Sequence, residues 1–66
     1  MNSDEIAARA GEPVEEVRRL TELGILHPND AGQHPEWELG VIRLMRAFEE
    51  GGISPEAVSR AIAEGH

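Results

Sequence analysis

The sequence predicts a small all-α domain, and three observations lead to that prediction. Apolar residues recur at the spacing of a helix over most of the chain. Glycine and proline interrupt this pattern where helices would end and begin. The one long turn-rich segment, residues 27–35, contains no β-branched residue from which a strand pair could be built. We therefore expect four helices in a single domain that spans residues 1–66.

The first predicted helix spans Ser3–Ala10. Asn2 or Ser3 can accept a hydrogen bond from the first free backbone N–H groups, and with Asn2 as the cap, Glu5 is placed to complete a capping box. Gly11 suits the left-handed conformation in which many helices end. Local sequence therefore predicts both ends of this helix.

The stretch Glu12–Leu26 predicts a second, amphipathic helix. Pro13 fits its first turn, where a missing N–H costs nothing, and Gly24 ends it. The side opposite the apolar positions carries Glu15, Arg18, Arg19 and Glu22. Together the two helices predict a helix-turn-helix, with the second in the position of a recognition helix.

Residues 27–35 predict either a reduced wing or a plain loop between the second and third helices. The third helix is predicted from about Glu36 to Glu50, because Leu39, Ile42 and Phe48 recur at helical spacing. Val41 and Leu44 widen this apolar face.

The fourth predicted helix follows the pair Gly51-Gly52. Ser54 can act as its N-cap, and Pro55 is favourable at the first helical position. Val58 and Ile62, one turn apart, predict the buried face of this helix.

The net charge of the chain bears on whether its partner is a nucleic acid or a protein. The 66 residues contain thirteen acids against six arginines and no lysine, which gives a net charge of −7. Residues 1–33 hold seven acids and three arginines, and residues 34–66 hold six and three, so neither half is basic. Nucleic-acid binding depends on cations placed against phosphates, whereas an acidic surface favours basic protein partners.

Other features exclude several classes of protein. The chain has no cysteine and hence neither a disulfide nor a thiolate metal site. No apolar run approaches the ~20 residues of a membrane span, and the N-terminus does not look like a signal peptide, so we expect a cytoplasmic protein without membrane contact. His27, Asp30 and His34 match no standard metal-ligand spacing, and no catalytic arrangement is evident. We therefore expect no metal, no cofactor and no enzymatic activity.

Three segments resemble the N-terminal winged helix-turn-helix domain of the MerR family of bacterial regulators: EIAARAG, VEEVRRLTELGIL and RLMRAFEEGGISPEAV. This resemblance covers nearly the whole chain and implies a role in transcription regulation. The segments VRRLTELGIL and RLMRAFEEGGISPEAVSRAIAEGH, joined by a short loop, also look like the MerR-like segments that precede class III adenylate or guanylate cyclase domains in actinobacteria. That second resemblance implies a regulatory module attached to an effector.

The sequence departs from the DNA-binding members of the MerR family at the expected contact positions. Such members carry basic or polar residues early in the second helix and Arg and Tyr in the wing. Here Glu15 and Glu16 open the second helix, and residues 27–35 contain no arginine. Only Arg18 and Arg19 remain at positions where the resemblance implies DNA contact.

Two functional hypotheses follow. The first is a regulatory module, degenerate for DNA contact, that docks onto a protein partner or a second copy; its candidate interface residues are Glu15, Glu16, Trp37, Val41 and Met45. The alternative is the sequence-specific DNA-binding domain of a MerR-type transcriptional regulator; its candidate contacts are Arg18, Arg19, Arg43 and Arg46. Arginines gathered on one face would favour DNA, and arginines scattered among acids would favour the first hypothesis.

Several of these candidates also have a structural interpretation. Val41 and Met45 are either part of the core side of the third helix or surplus apolar surface for a partner helix. Trp37 is either an exposed docking anchor or a lid over the small core. Arg18 and Arg19 either contact phosphates or form ion pairs with Glu15 and Glu22 along their own helix.

Overall fold

The computed structural model describes residues 1–65, and these residues form four α-helices: α1 (Ser3–Ala10), α2 (Val14–Glu22), α3 (Glu38–Glu50) and α4 (Pro55–Glu64). They include no strand, so residues 27–35 form a loop. The all-α prediction with four helices is confirmed. α3 begins two residues later than predicted. None of the helices in this part of the chain is both long enough and apolar enough to cross a membrane.

The helix ends follow from local hydrogen bonding. Asn2 Oδ1 accepts the Glu5 N–H at 2.8 Å, and Glu5 Oε1 accepts the Asn2 N–H at 3.0 Å, which confirms the predicted capping box. Gly11 ends α1 in the left-handed conformation with φ 72°. Ser54 Oγ accepts the Ala57 N–H at 3.1 Å, so Ser54 caps α4 as predicted, with Pro55 in the first position.

The core lies where α1, α2 and α3 meet. Gly24 has a φ of 76°, and this turn allows the Ile25 and Leu26 N–H groups to donate to the Leu20 carbonyl. The chain that leaves α2 is thereby directed back into the interior. The buried apolar side chains are Ile6, Ala7, Val17, Leu20, Ile25, Leu26, Ile42 and Met45.

Two predicted positions are corrected by this core. Met45 is only 4% exposed and packs among the core residues, so its assignment to a protein interface is wrong. Ile62 is 59% exposed, so the predicted buried face of α4 does not extend to its last turn. α4 is attached through its first half instead, where Pro55 is buried and Ser59 Oγ donates to the Leu23 carbonyl at 2.7 Å.

Candidate interaction surface

The solvent face of α2 carries more negative than positive charge. Val17 and Leu20 are buried, and helical geometry therefore turns Glu15, Arg18 and Glu22 outward, where all three are exposed. An anionic surface repels phosphates, because the like charges are not compensated by a dense set of cations. The solvent face of α2 thus presents two carboxylates beside one guanidinium.

Arg19, on the same helix, is surrounded by carboxylates. Its Nη2 and Nε donate to the two oxygens of Glu56 at 2.6 and 2.9 Å, and its Nη1 donates to Glu16 Oε1 at 3.0 Å. Glu49 Oε2 lies 4.0 Å away. The paired hydrogen bonds with Glu56, reinforced by the bond to Glu16, raise the pKa of Arg19, and Arg19 in turn lowers the pKa of Glu56 below its ordinary value. Arg19 therefore joins α2 to the start of α4.

The other three DNA-contact candidates lie on two helices, Arg18 on α2 and both Arg43 and Arg46 on α3. Arg46 lies 3.7 Å from Glu12 and 3.8 Å from Glu50, measured between nitrogen and oxygen. Arg43 donates a long hydrogen bond of 3.5 Å to the Arg9 carbonyl. Arg18 is exposed and, within residues 1–65, forms no ion pair. The predicted pairing of Arg19 with Glu22 is replaced by pairing with Glu16 and Glu56, and Arg18 pairs with neither predicted partner.

α3 presents an apolar face to solvent beside its core face. Ile42 and Met45 point into the core, and about one quarter-turn around the helix lies a second row at positions i, i+4, i+7 and i+11. We call this row the α3 strip; it consists of Trp37, Val41, Leu44 and Phe48. Trp37 is 64% exposed and Leu44 is 49% exposed, while Val41 and Phe48 are half-buried and pack partly against the core.

The predicted interface residues are therefore only partly gathered on one surface. Trp37 and Val41 lie together on the α3 strip, and the exposure of Trp37 shows that it is not a lid over the core. Glu15 is exposed on α2, but Glu16 is half-buried and bonded to Arg19.

A buried network of polar side chains lies at the start of α3, and the sequence did not predict it, because His34 was considered there only as a metal ligand. His34 and Glu38 have fully buried side chains, and His34 Nδ1 lies 2.8 Å from Glu38 Oε1. Since a carboxylate only accepts, Nδ1 donates to it, and Nε2 on the other side of the ring lies 3.1 Å from Ser3 Oγ. The other oxygen of Glu38 accepts the His27 N–H at 2.6 Å.

This network ties three parts of the molecule together: the start of α1, the loop and the start of α3. Residue 34 is also paired with Met1 through two backbone hydrogen bonds. Within residues 1–65 every buried side-chain nitrogen or oxygen has a partner, so the polar groups are accommodated in the interior. The order serine, histidine, carboxylate resembles a catalytic triad, but both side chains of the acid–histidine pair are sealed from solvent.

One signal in the sequence could have indicated this pair. His34 and Glu38 are four residues apart, which is the spacing at which side chains meet on one side of a helix. The turn that precedes α3 brings them together in the same way. The contact with Ser3, across 31 positions, leaves no such signal.

No protein-family model, curated protein or solved structure matches this chain.

Proposed function

We propose that this chain is a MerR-like helix-turn-helix regulatory module that acts through protein contacts and has lost most of its chemistry for DNA contact. The resemblance of the segments VEEVRRLTELGIL and RLMRAFEEGGISPEAV supports the family and suggests attachment to an effector such as a nucleotide cyclase. The net charge of −7 supports a protein partner over a nucleic acid.

The position of Arg19 is the main support for the loss of DNA contact. Its guanidinium uses three of its five N–H donors in hydrogen bonds to Glu16 and Glu56, including the Nε–Nη2 pair that would bind a phosphate with two parallel bonds. A phosphate would have to displace two carboxylates and would leave both of them without their cation. Arg18 is then the one remaining arginine of α2, flanked on the same face by Glu15 and Glu22.

The experiment is a titration of a fluorescent random-sequence DNA duplex with the protein at about 50 mM salt, read by anisotropy. Non-specific binders have dissociation constants of roughly 1–100 μM at physiological salt, and tighter values at low salt. We expect no binding up to about 100 μM protein.

Arg18→Ala and Arg60→Ala form the matched pair of variants, because both arginines are exposed and only Arg18 lies on α2. Binding that weakens steeply with salt and is lost in Arg18→Ala but kept in Arg60→Ala would reject the proposed function in favour of a DNA-binding domain. A double variant, Glu16→Gln with Glu56→Gln, releases Arg19 and should increase DNA affinity if these carboxylates are what prevents the contact.

A further inference from the structure

The α3 strip contains two of the four exposed large apolar residues of the described chain, Trp37 and Leu44, while Ile53 and Ile62 lie elsewhere. Between Trp37 and Leu44 the half-buried Val41 continues the apolar surface. Contiguous apolar surface of this kind is a candidate for an interaction site. Trp37 is also the residue type most enriched among interface hot spots.

The spacing within the α3 strip selects the shape of its partner. Trp37, Val41, Leu44 and Phe48 are separated by four, three and four residues, as are the d and a positions of a heptad. Such a seam receives the side chains of a second helix laid along it. Gly40 and Ala47 border the strip on one side, and both are exposed, so a helix can approach closely there.

The area of the α3 strip and the net charge of the chain favour a cationic partner over a second copy. From Trp37 to Phe48 the strip is about 17 Å long and roughly 10 Å wide, a small footprint beside the ~800 Å² per partner of a standard stable interface. Two copies joined here would gain little contact while bringing together two chains of charge −7 each. A cationic helix would instead be attracted by the same net negative charge. Arg19 and Arg46 would repel it little, because both are already paired with carboxylates of this chain.

We propose that the α3 strip binds a cationic amphipathic helix of a partner protein. Leucine-like side chains of that helix pack between Trp37, Val41, Leu44 and Phe48, and its lysines and arginines face the acidic surroundings. Glu36 and Glu50 lie at the two ends of the border beyond Gly40 and Ala47, with Arg43 between them. This inference rests on the proposed function and specifies the partner.

The test uses three synthetic peptides of three heptads each. The first has leucine at heptad positions a and d, and lysine or arginine at every charged position outside this leucine seam. The second keeps the leucine seam but carries glutamate at those positions, and the third has the composition of the first with the leucines scattered. None contains tryptophan, so the emission of Trp37, the single tryptophan of this protein, reports binding directly.

We expect the first peptide to shift Trp37 emission to the blue with a dissociation constant on the order of 10 μM, as for a small transient interface. The second and third peptides should bind at least tenfold more weakly. Leu44→Asp should weaken binding of the first peptide tenfold or more, and Ile62→Asp, at a similarly exposed aliphatic residue outside the strip, should change it less than twofold. Circular dichroism confirms folding, and Leu44→Gln replaces Leu44→Asp if the latter unfolds.

Several results would overturn the inference. Equal binding of the scattered peptide, equal effects of Leu44→Asp and Ile62→Asp, or no shift up to about 1 mM peptide would each reject a cationic helix on the α3 strip. Sedimentation showing a dimer at low micromolar concentration, abolished by Leu44→Asp, would assign the strip to a second copy. These results leave the proposed function standing, whereas only DNA binding through Arg18 rejects it.

Discussion

Trp37 and Glu38, neighbours at the start of α3, occupy opposite environments: the aromatic residue is 64% exposed and the acid is fully buried. Hydrophobicity alone would place them the other way round. Glu38 is accommodated because His34 and the His27 N–H each bind one of its oxygens. Trp37 lies on the outer side of the same turn, where most of its side chain is in contact with solvent. The difference indicates that buried polar contacts, together with the apolar burial of Met45, fix the rotation of α3 about its axis.

The same contrast recurs about two turns further along the helix, where Leu44 is 49% exposed and Met45 is 4% exposed. α3 therefore carries apolar residues over a wide arc: Met45 lies in the core, Val41 and Phe48 pack partly against it, and Trp37 and Leu44 are exposed. In each of the two pairs, Trp37 with Glu38 and Leu44 with Met45, a substitution of the buried residue can be compared with a substitution of its exposed neighbour.

The largest effect is expected at Glu38. Glu38→Ala leaves His34 and the His27 N–H without a buried acceptor, which should reduce the free energy of unfolding by about 3 kcal/mol or more. Trp37→Ala, next to it, should change that free energy by no more than about 0.5 kcal/mol. Urea unfolding followed by circular dichroism measures both. Equal losses would contradict the exposed position of Trp37 and the buried position of Glu38.

A smaller difference is expected between Met45 and Leu44. Met45→Ala removes buried side-chain atoms and leaves a cavity, which should cost about 2 kcal/mol. Leu44→Ala removes a half-exposed side chain from a helix and should cost less than about 1 kcal/mol, since alanine favours helices. Urea unfolding also measures the free energy of unfolding of these two variants. A greater loss of that free energy in Leu44→Ala than in Met45→Ala would mean that α3 is rotated from the position described.

The smallest effect concerns the ion pair that joins α2 to α4. Because Arg19 lowers the pKa of Glu56 in the folded protein, this contact stabilises the fold above the unfolded pKa of a glutamate and is lost as the pH falls through the lowered value. Below about pH 4.5 the wild type should therefore lose stability more steeply than Glu56→Gln. The difference should shrink in about 0.5 M salt, because the pair is exposed. Parallel pH curves for the two proteins would exclude this role.

Much of the fold could be predicted because its determinants are local. The capping box of Asn2, the left-handed Gly11 and the Ser54-Pro55 start of α4 each depend on residues within one helical turn, and all are found as expected. The predicted start of α3 was two residues early because Glu36 and Trp37 form a turn that continues directly into the helix. Such boundaries depend on tertiary contacts as well as on propensity.

The candidate site was less accessible from sequence for a physical reason. Apolar residues cover so wide an arc of α3 that periodicity does not show which side of the helix meets the core. For this reason the prediction that Met45 belongs to the interface side is wrong. Long-range contacts decide the choice. The bonds from Ser3 to His34 and from Arg19 to Glu56 join residues 31 and 37 positions apart, and no local pattern predicts either.

The most direct measurement of where this module makes contact is a set of ¹H–¹⁵N amide spectra recorded with DNA and with the cationic leucine-seam peptide. We predict that the peptide shifts the amides of residues 37–48 in and beside α3, and that a random-sequence duplex leaves the amides of α2, residues 14–22, unchanged at about 50 mM salt. Shifts in α2 on addition of DNA, with α3 unaffected by the peptide, would contradict the protein-contact function and identify a DNA-binding helix.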